Sequence, residues 1–241
     1  MRYAVLLCLL LCSSISRAET LQVAVAANFA APLRELVAQY QSSHPAISIH
    51  LTVASTGKLA AQIRQGAPFD IFLAADQRRP RELAREQRLI ADSVRTYARG
   101  VLVLWTPQSG INLQPEQLER GRLSPLALAN ARTAPYGVAA EAVLARLSLP
   151  PSVTLVRAEN VAQSFHFADS GAAAAAFVAL SQVQARGGSL WRIPPSQYPA
   201  IIQQGGRLND RPATRDFYRY LFSGPARALI RQAGYQVDDA Q

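Results

Sequence analysis

Between Leu21 and Ile90, short runs of small and β-branched residues alternate with stretches of helical spacing. This alternation constrains the fold more than any other feature of the chain. "TLQVAVAA" reads as a buried strand. After it, Leu33, Leu36, Val37 and Tyr40 fall at i, i+3, i+4 and i+7, one face of a helix. "HPAISIHLTVA" alternates Ile47, Ile49, Leu51 and Val53 and reads as a second strand. "STGKLAAQIRQG" predicts a helix that opens on Ser55 or Thr56 and closes at Gly66. "FDIFLAA" is a third strand, and "RRPRELAREQRLI" a helix with a polar face. A β-α-β-α-β-α order predicts a mainly parallel sheet flanked by helices.

A second block begins at the apolar "GVLVLWTP". It adds strands at "LSPLALAN" and "TLVRAEN" and helices at "PYGVAAEAVLARL" and "VAQSFHFADSG", the latter ended by Gly171. Alanine favours helix, but the place of "AAAAAFVAL" before "SQVQARG" suits a buried strand centred on Phe177–Leu180. Prolines 194, 195 and 199 keep the next segment extended, and one or two helices close the chain. The fold class is therefore α/β, two lobes joined by crossover strands. Residues 19–98 plus 199–241 are expected in the first lobe and 99–198 in the second. The crossings are placed near Ala98–Leu102 and Ile193–Ile201. A ligand would sit between the lobes, where strands hand over to helices.

The first residues have the form of a cleaved export signal. Arg2 precedes the apolar "YAVLLCLLLC", and "SRA" at Ser16–Ala18 is a small-x-small site with the cut at Ala18–Glu19. Cys12 raises a lipoprotein reading, which Leu11 disfavours because that position should be small. Both cysteines, Cys8 and Cys12, lie in this leader, so the mature chain has neither disulfides nor thiolate metal sites. Later residues hold no apolar run of membrane-spanning length, and the expected location is a bacterial periplasm. The chain carries a formal charge of +9, and Lys58 is its only lysine. Its arginines are scattered with no basic run of five, which argues against nucleic acid, and a positive surface can steer anions. His44, His50 and His166 are too far apart to support a metal site by spacing.

Four strand–helix junctions hold the available chemistry: "AANFA" with Asn28, "ASTGK" with Ser55 and Thr56, "APYGV" with Tyr136, and "ENVAQ" with Val161. A helix start presents unpaired N–H groups and the positive end of the helix dipole. Several aimed at one point form an anion site. Taken singly, Asn28, Ser55 and Thr56 read first as ordinary N-caps. No junction carries a carboxylate aimed at the same point. A site of neutral donors without an acceptor suits a fully ionised tetrahedral dianion, which offers only acceptors. "STGK" lacks the spacing of a phosphate loop. No G-x-S-x-G elbow or Ser/His/Asp cluster is present. Asp70 and Asp76 flank a strand end and are expected to cap or brace it.

At "VAVAANF", "STGKLAAQI", "GAPFDIFLAAD", "TAPYGVAAEAVL", "AENVAQSF", "FVALSQV" and "YPAIIQQGGRL" the chain resembles the periplasmic molybdate-binding proteins of bacterial ABC importers, the ModA family. The resemblance spans nearly the whole chain after the leader. It implies a type II two-lobed solute-binding fold that binds molybdate and tungstate, delivers them to a membrane permease and catalyses nothing. It implies no cofactor, no nucleic-acid partner, a monomer, and a metal held only within its oxyanion. Carried over residue by residue, the ligand positions fall on Asn28, Thr56, Tyr136 and Val161, with Ser55 secondary. Thr56 is then the principal donor of its junction, and Val161 offers only its backbone N–H. Some members place an oxyanion-binding tyrosine where this chain has Ala179, and the Tyr136 hydroxyl is the expected replacement. Sulfate or phosphate in the same fold is the alternative reading, and an exported enzyme a more distant one.

Overall fold

The computed structural model describes residues 19–237. The predicted leader, its cut at Ala18–Glu19 and both cysteines lie outside the described residues.

Each of the two sheets has five strands. In the first, β1 (Glu19–Ala26) pairs in parallel with β2 (Ile47–Ala54) and β3 (Ile71–Leu73). Helix α1 (Ala30–Ser43) joins β1 to β2, and α2 (Thr56–Arg64) joins β2 to β3. The apolar stripe predicted for α1 is observed: Leu33 and Leu36 are fully buried, each contributing about 2 kcal/mol of transfer free energy. Helix α3 (Arg78–Arg85) is shorter than the sequence pattern suggests. Gln87 adopts a positive φ of 57°, and the Arg88 N–H bonds back to the Leu83 carbonyl, which closes the helix before the apolar pair Leu89–Ile90. Strand β4 (Arg95–Gly100) completes the chain's first pass through this sheet.

Val101 alone separates β4 from β5 (Leu102–Thr106), which lies in the second sheet. There α4 (Pro115–Glu119), which the sequence reading missed, precedes β6 (Leu126–Ala129). Helix α5 (Pro135–Leu144) leads to β7 (Leu155–Ala158), and α6 (Val161–Asp169) to β8 (Ala175–Ala179). The β8 strand stops one residue short of Leu180. The Gln182 side chain accepts the Ala179 N–H and starts α7 (Leu180–Val183) there. After β9 (Ser189–Arg192) the chain returns to the first sheet as β10 (Ile201–Arg207).

Each sheet is mixed. The βαβ units give the parallel pairs, and the strands next to the crossings pair antiparallel: β10 with β3 and β4, and β5 with β8 and β9. Two helices close the chain, α8 (Pro212–Tyr220) and α9 (Gly224–Gln232), the second capped by Ser223. The segment beyond α9 lies on the crossing strand, with Arg99 and Gln236 exchanging backbone bonds. No described helix is long and apolar enough to cross a membrane.

Candidate functional site

The parallel strands β1, β2, β6 and β7 all end at one small cavity of about 10 Å³. The 3-10 turn Ala27–Phe29 continues into α1, and α2, α5 and α6 start at the same point. Asn28, Ser55, Thr56, Tyr136 and Val161 therefore line one cavity from both sheets. Every residue lining it is uncharged. By position, the first N–H groups of these helices have no intrahelical acceptor.

Ser55 is the N-cap of α2, but its side chain makes no capping bond. Its hydroxyl is buried without a hydrogen-bond partner. The Thr56 hydroxyl is already engaged, accepting the Ala75 N–H at 3.0 Å and tying α2 to the end of β3. The wholly unpartnered hydroxyl at this junction is that of Ser55, while Thr56 Oγ1, expected as the principal donor, accepts an N–H and keeps its own proton to give.

Asn28 is not a helix cap, because neither helix start beside it carries a side-chain capping bond. Instead it is 2% exposed and at the centre of a polar cluster. Its Nδ2 donates to Gln203 Oε1 at 2.9 Å and to the Tyr235 hydroxyl at 3.0 Å. Its carbonyl accepts from Tyr235 at 2.7 Å and from Ser181 Oγ at 3.0 Å.

Tyr136 is the second residue of α5, and its hydroxyl does not stand where the sequence argument placed it. It packs against Gly100 on the crossing strand, where an added Cβ would lie 2.2 Å from the phenolic oxygen. Gly100 does not line the cavity, and neither does Ala179, the position from which a tyrosine is missing. Burial, with neighbouring tyrosines adding to it, pushes the Tyr136 hydroxyl far above its ordinary pKa, so it stays neutral.

Val161 opens α6 behind Asn160, whose Oδ1 accepts from the N–H groups of Ala162 and Gln163 at 3.0 and 3.1 Å. That cap leaves the Val161 N–H free of side-chain competition. Asn160 lines the cavity and was missed, although an asparagine before a helical run is a readable cap signal. Gln203, Tyr235 and Ser181, which hold Asn28, carry no signal in sequence, because they meet it across 153 to 207 residues.

Asp70 braces the first sheet, accepting from Gln22, Asn209 and Arg211, each at 2.6 Å. Asp76 accepts the Arg79 N–H and pairs with its guanidinium. Among the described residues no cluster of histidine, cysteine and acidic side chains could hold a metal ion.

The two sides of the cavity are bonded to each other. The Gly57 N–H donates to the Thr133 carbonyl at 2.8 Å. Arg79 reaches the Arg132 carbonyl at 3.2 Å, and Lys58 pairs with Glu159 at 2.9 Å. The arrangement is that of a closed cleft.

A family described as bacterial extracellular solute-binding protein matches residues 21–236. The molybdate-binding protein ModA of Azotobacter vinelandii is 39% identical over 239 residues, covering 94% of this chain and 93% of that protein. ModA of Rhodobacter capsulatus is 34% identical, covering 89% and 87%. The solved periplasmic molybdate-binding protein of Azotobacter vinelandii superimposes with a TM-score of 0.85 at 31% identity, covering 91% of this chain and all of that one. The sulfate-binding protein SubI of Mycobacterium tuberculosis shares the fold at a TM-score of 0.73 and 12% identity, covering 92% and 88%.

Proposed function

On the premise that the chain belongs to the bacterial extracellular solute-binding proteins, the family its sequence matches from residue 21 to 236, we propose that it captures molybdate, and tungstate with it, in the cleft between its two lobes. The observation that carries this reading is the cavity wall. Four helix starts, a free Ser55 hydroxyl and no charged side chain surround one small space. An oxyanion there exchanges its hydration shell for fixed N–H and O–H dipoles in a dry site. A wall of donors suits an ion that has only acceptors. Hydrogen phosphate carries a proton and needs an acceptor, which no carboxylate in the wall supplies.

Ser55 Oγ and the backbone N–H groups of Asn28, Thr56, Tyr136 and Val161 are the donors in this account, with the Asn28 side chain beside them. The metal is cargo, held only through its oxygens. The lobes, residues 19–98 with 199–241 and residues 99–198, open and close about the crossing strands. The closed form is handed to a membrane permease of an ABC importer from the periplasm, as a monomer and without catalysis. Calorimetric titration with molybdate, tungstate, sulfate and phosphate tests the reading. Tight binding of the first two with weak binding of the others supports it, and a preference for sulfate or phosphate contradicts it.

A further inference from the structure

The buried polar cluster behind the cavity does not balance its protons as arranged. Tyr97 has one hydroxyl proton, yet its oxygen lies 3.0 Å from the Ala74 carbonyl and 2.9 Å from Gln203 Oε1, both of them acceptors. At the other end of the same amide, Gln203 Nε2 is buried with no hydrogen-bond partner, and so is the Tyr136 hydroxyl. Both crowd Gly100, where an added Cβ would lie 2.2 Å from the Tyr136 oxygen and 2.9 Å from Gln203 Nε2. A group with two protons thus faces a hydroxyl that needs an acceptor, while the carbonyl faces a hydroxyl whose proton is shared.

We propose that Gln203 is a positioning residue of the anion site, and that its side-chain amide, reversed end for end together with that of Asn28, aims the Asn28 N–H₂ group at the oxyanion. The two ends of an amide have nearly the same shape, so the hydrogen-bond network decides between them. In the reversed arrangement Gln203 Nε2 donates to the Tyr97 oxygen and to Asn28 Oδ1. Tyr97 keeps its bond to Ala74, and Gln203 Oε1 accepts the Tyr136 proton. The Tyr235 proton is then shared between Asn28 Oδ1 at 3.0 Å and the Asn28 carbonyl at 2.7 Å, and Ser181 donates to the same carbonyl. The two buried atoms that lacked partners, Gln203 Nε2 and the Tyr136 hydroxyl, then both have them. Asn28 Nδ2, released from Gln203 and Tyr235, becomes a donor in the wall that Asn28 lines. Gln203 lies on β10, beside the crossing, and meets Asn28 of the first sheet and Tyr136 of the second sheet's α5. Lobe closure and the aim of Asn28 are coupled through it. This rests on the reading of the cavity as an oxyanion site.

The test is the side-chain amide spectrum of ¹⁵N-labelled protein with and without molybdate. The Asn28 and Gln203 signals are assigned by their loss in Asn28→Ser and Gln203→Met. Both pairs shift on saturation, although Gln203 does not line the cavity. Gln203→Met lowers molybdate affinity at least about tenfold. Gln203→Glu does not restore it, because a carboxylate cannot donate to Asn28. Wild-type protein that binds molybdate with an unmoved Gln203 signal overturns the proposal, as does wild-type affinity in Gln203→Met. Where the Met variant does not fold, loss of the signal in Gln203→Glu makes the assignment, and the wild-type spectra decide the matter. Wild-type protein that binds none of the tetrahedral anions refutes the reading of the site itself, a separately visible result.

Discussion

The backbone N–H of Gly57 donates to the carbonyl of Thr133 at 2.8 Å, joining the first turn of α2 on one lobe to the segment before α5 on the other. The contact leaves little room for a side chain. An added Cβ would lie 3.0 Å from both Cα and the carbonyl oxygen of Thr133, and 3.1 Å from Arg79 Nη2. Gly57→Ala should therefore hold the lobes slightly apart. The expected cost is about 1–2 kcal/mol of molybdate affinity. Calorimetry measures it, and the melting temperature of unliganded protein should move by less than about 3 °C.

Ser55 and Thr56 are neighbours with different duties, and substitution separates them. Ser55→Ala removes a buried hydroxyl that bonds nothing in the protein, so it should weaken anion binding by about 1–3 kcal/mol and barely change unliganded stability. Thr56→Val leaves the buried Ala75 N–H without its acceptor, and about 1–3 kcal/mol of fold stability should be lost. Titrations and thermal melts on both variants check this. The opposite pattern would make Thr56 the hydroxyl donor.

Gly100 lies where the crossing strand meets Tyr136, and the space for a methyl group is already filled by the phenolic oxygen. Gly100→Ala should destabilise the protein by about 1–3 kcal/mol through overpacking. Tyr136→Phe should relieve part of that loss in the double variant, since it removes the oxygen that clashes. Chemical denaturation of the two single variants and the double variant measures the coupling.

The pH dependence follows from the same buried tyrosines. Burial raises Tyr97, Tyr136 and Tyr235 in the folded protein. Below about pH 10, the ordinary range of tyrosine, they are neutral in folded and unfolded chains alike and stability does not depend on them. Above it the unfolded chain releases those protons first, so stability falls as pH rises toward the folded-state values. No histidine or carboxylate lines the cavity. Molybdate affinity should accordingly be flat from about pH 6 to 9, measured by titration at constant ionic strength.

The fold was legible because its signals are local. Apolar alternation in β2 and the i, i+3, i+4, i+7 stripe of α1 are set by neighbours in sequence. Where the reading erred, a nonlocal or conformational detail decided the outcome. Gln87 ends α3 through a left-handed turn, and Gln182 turns Leu180 from strand into helix. The convergence of Asn28, Ser55, Thr56, Tyr136 and Val161 on one cavity was legible as four helix starts following strands. Which atom of each residue is free was not. Asn28 lost its presumed cap role to Gln203 and Tyr235, which arrive from the far end of the chain, and the Tyr136 hydroxyl went to Gly100 on the crossing strand.

The central claim is that an uncharged wall of helix starts selects a fully ionised tetrahedral anion. Competitive calorimetry of the wild-type protein with molybdate, sulfate and phosphate at neutral pH tests it most directly. Molybdate should bind at least about 100-fold tighter than phosphate, a difference of roughly 2.7 kcal/mol. Phosphate binding as tight as molybdate would contradict it, because a proton-bearing anion would then be held by a wall with no carboxylate to accept that proton.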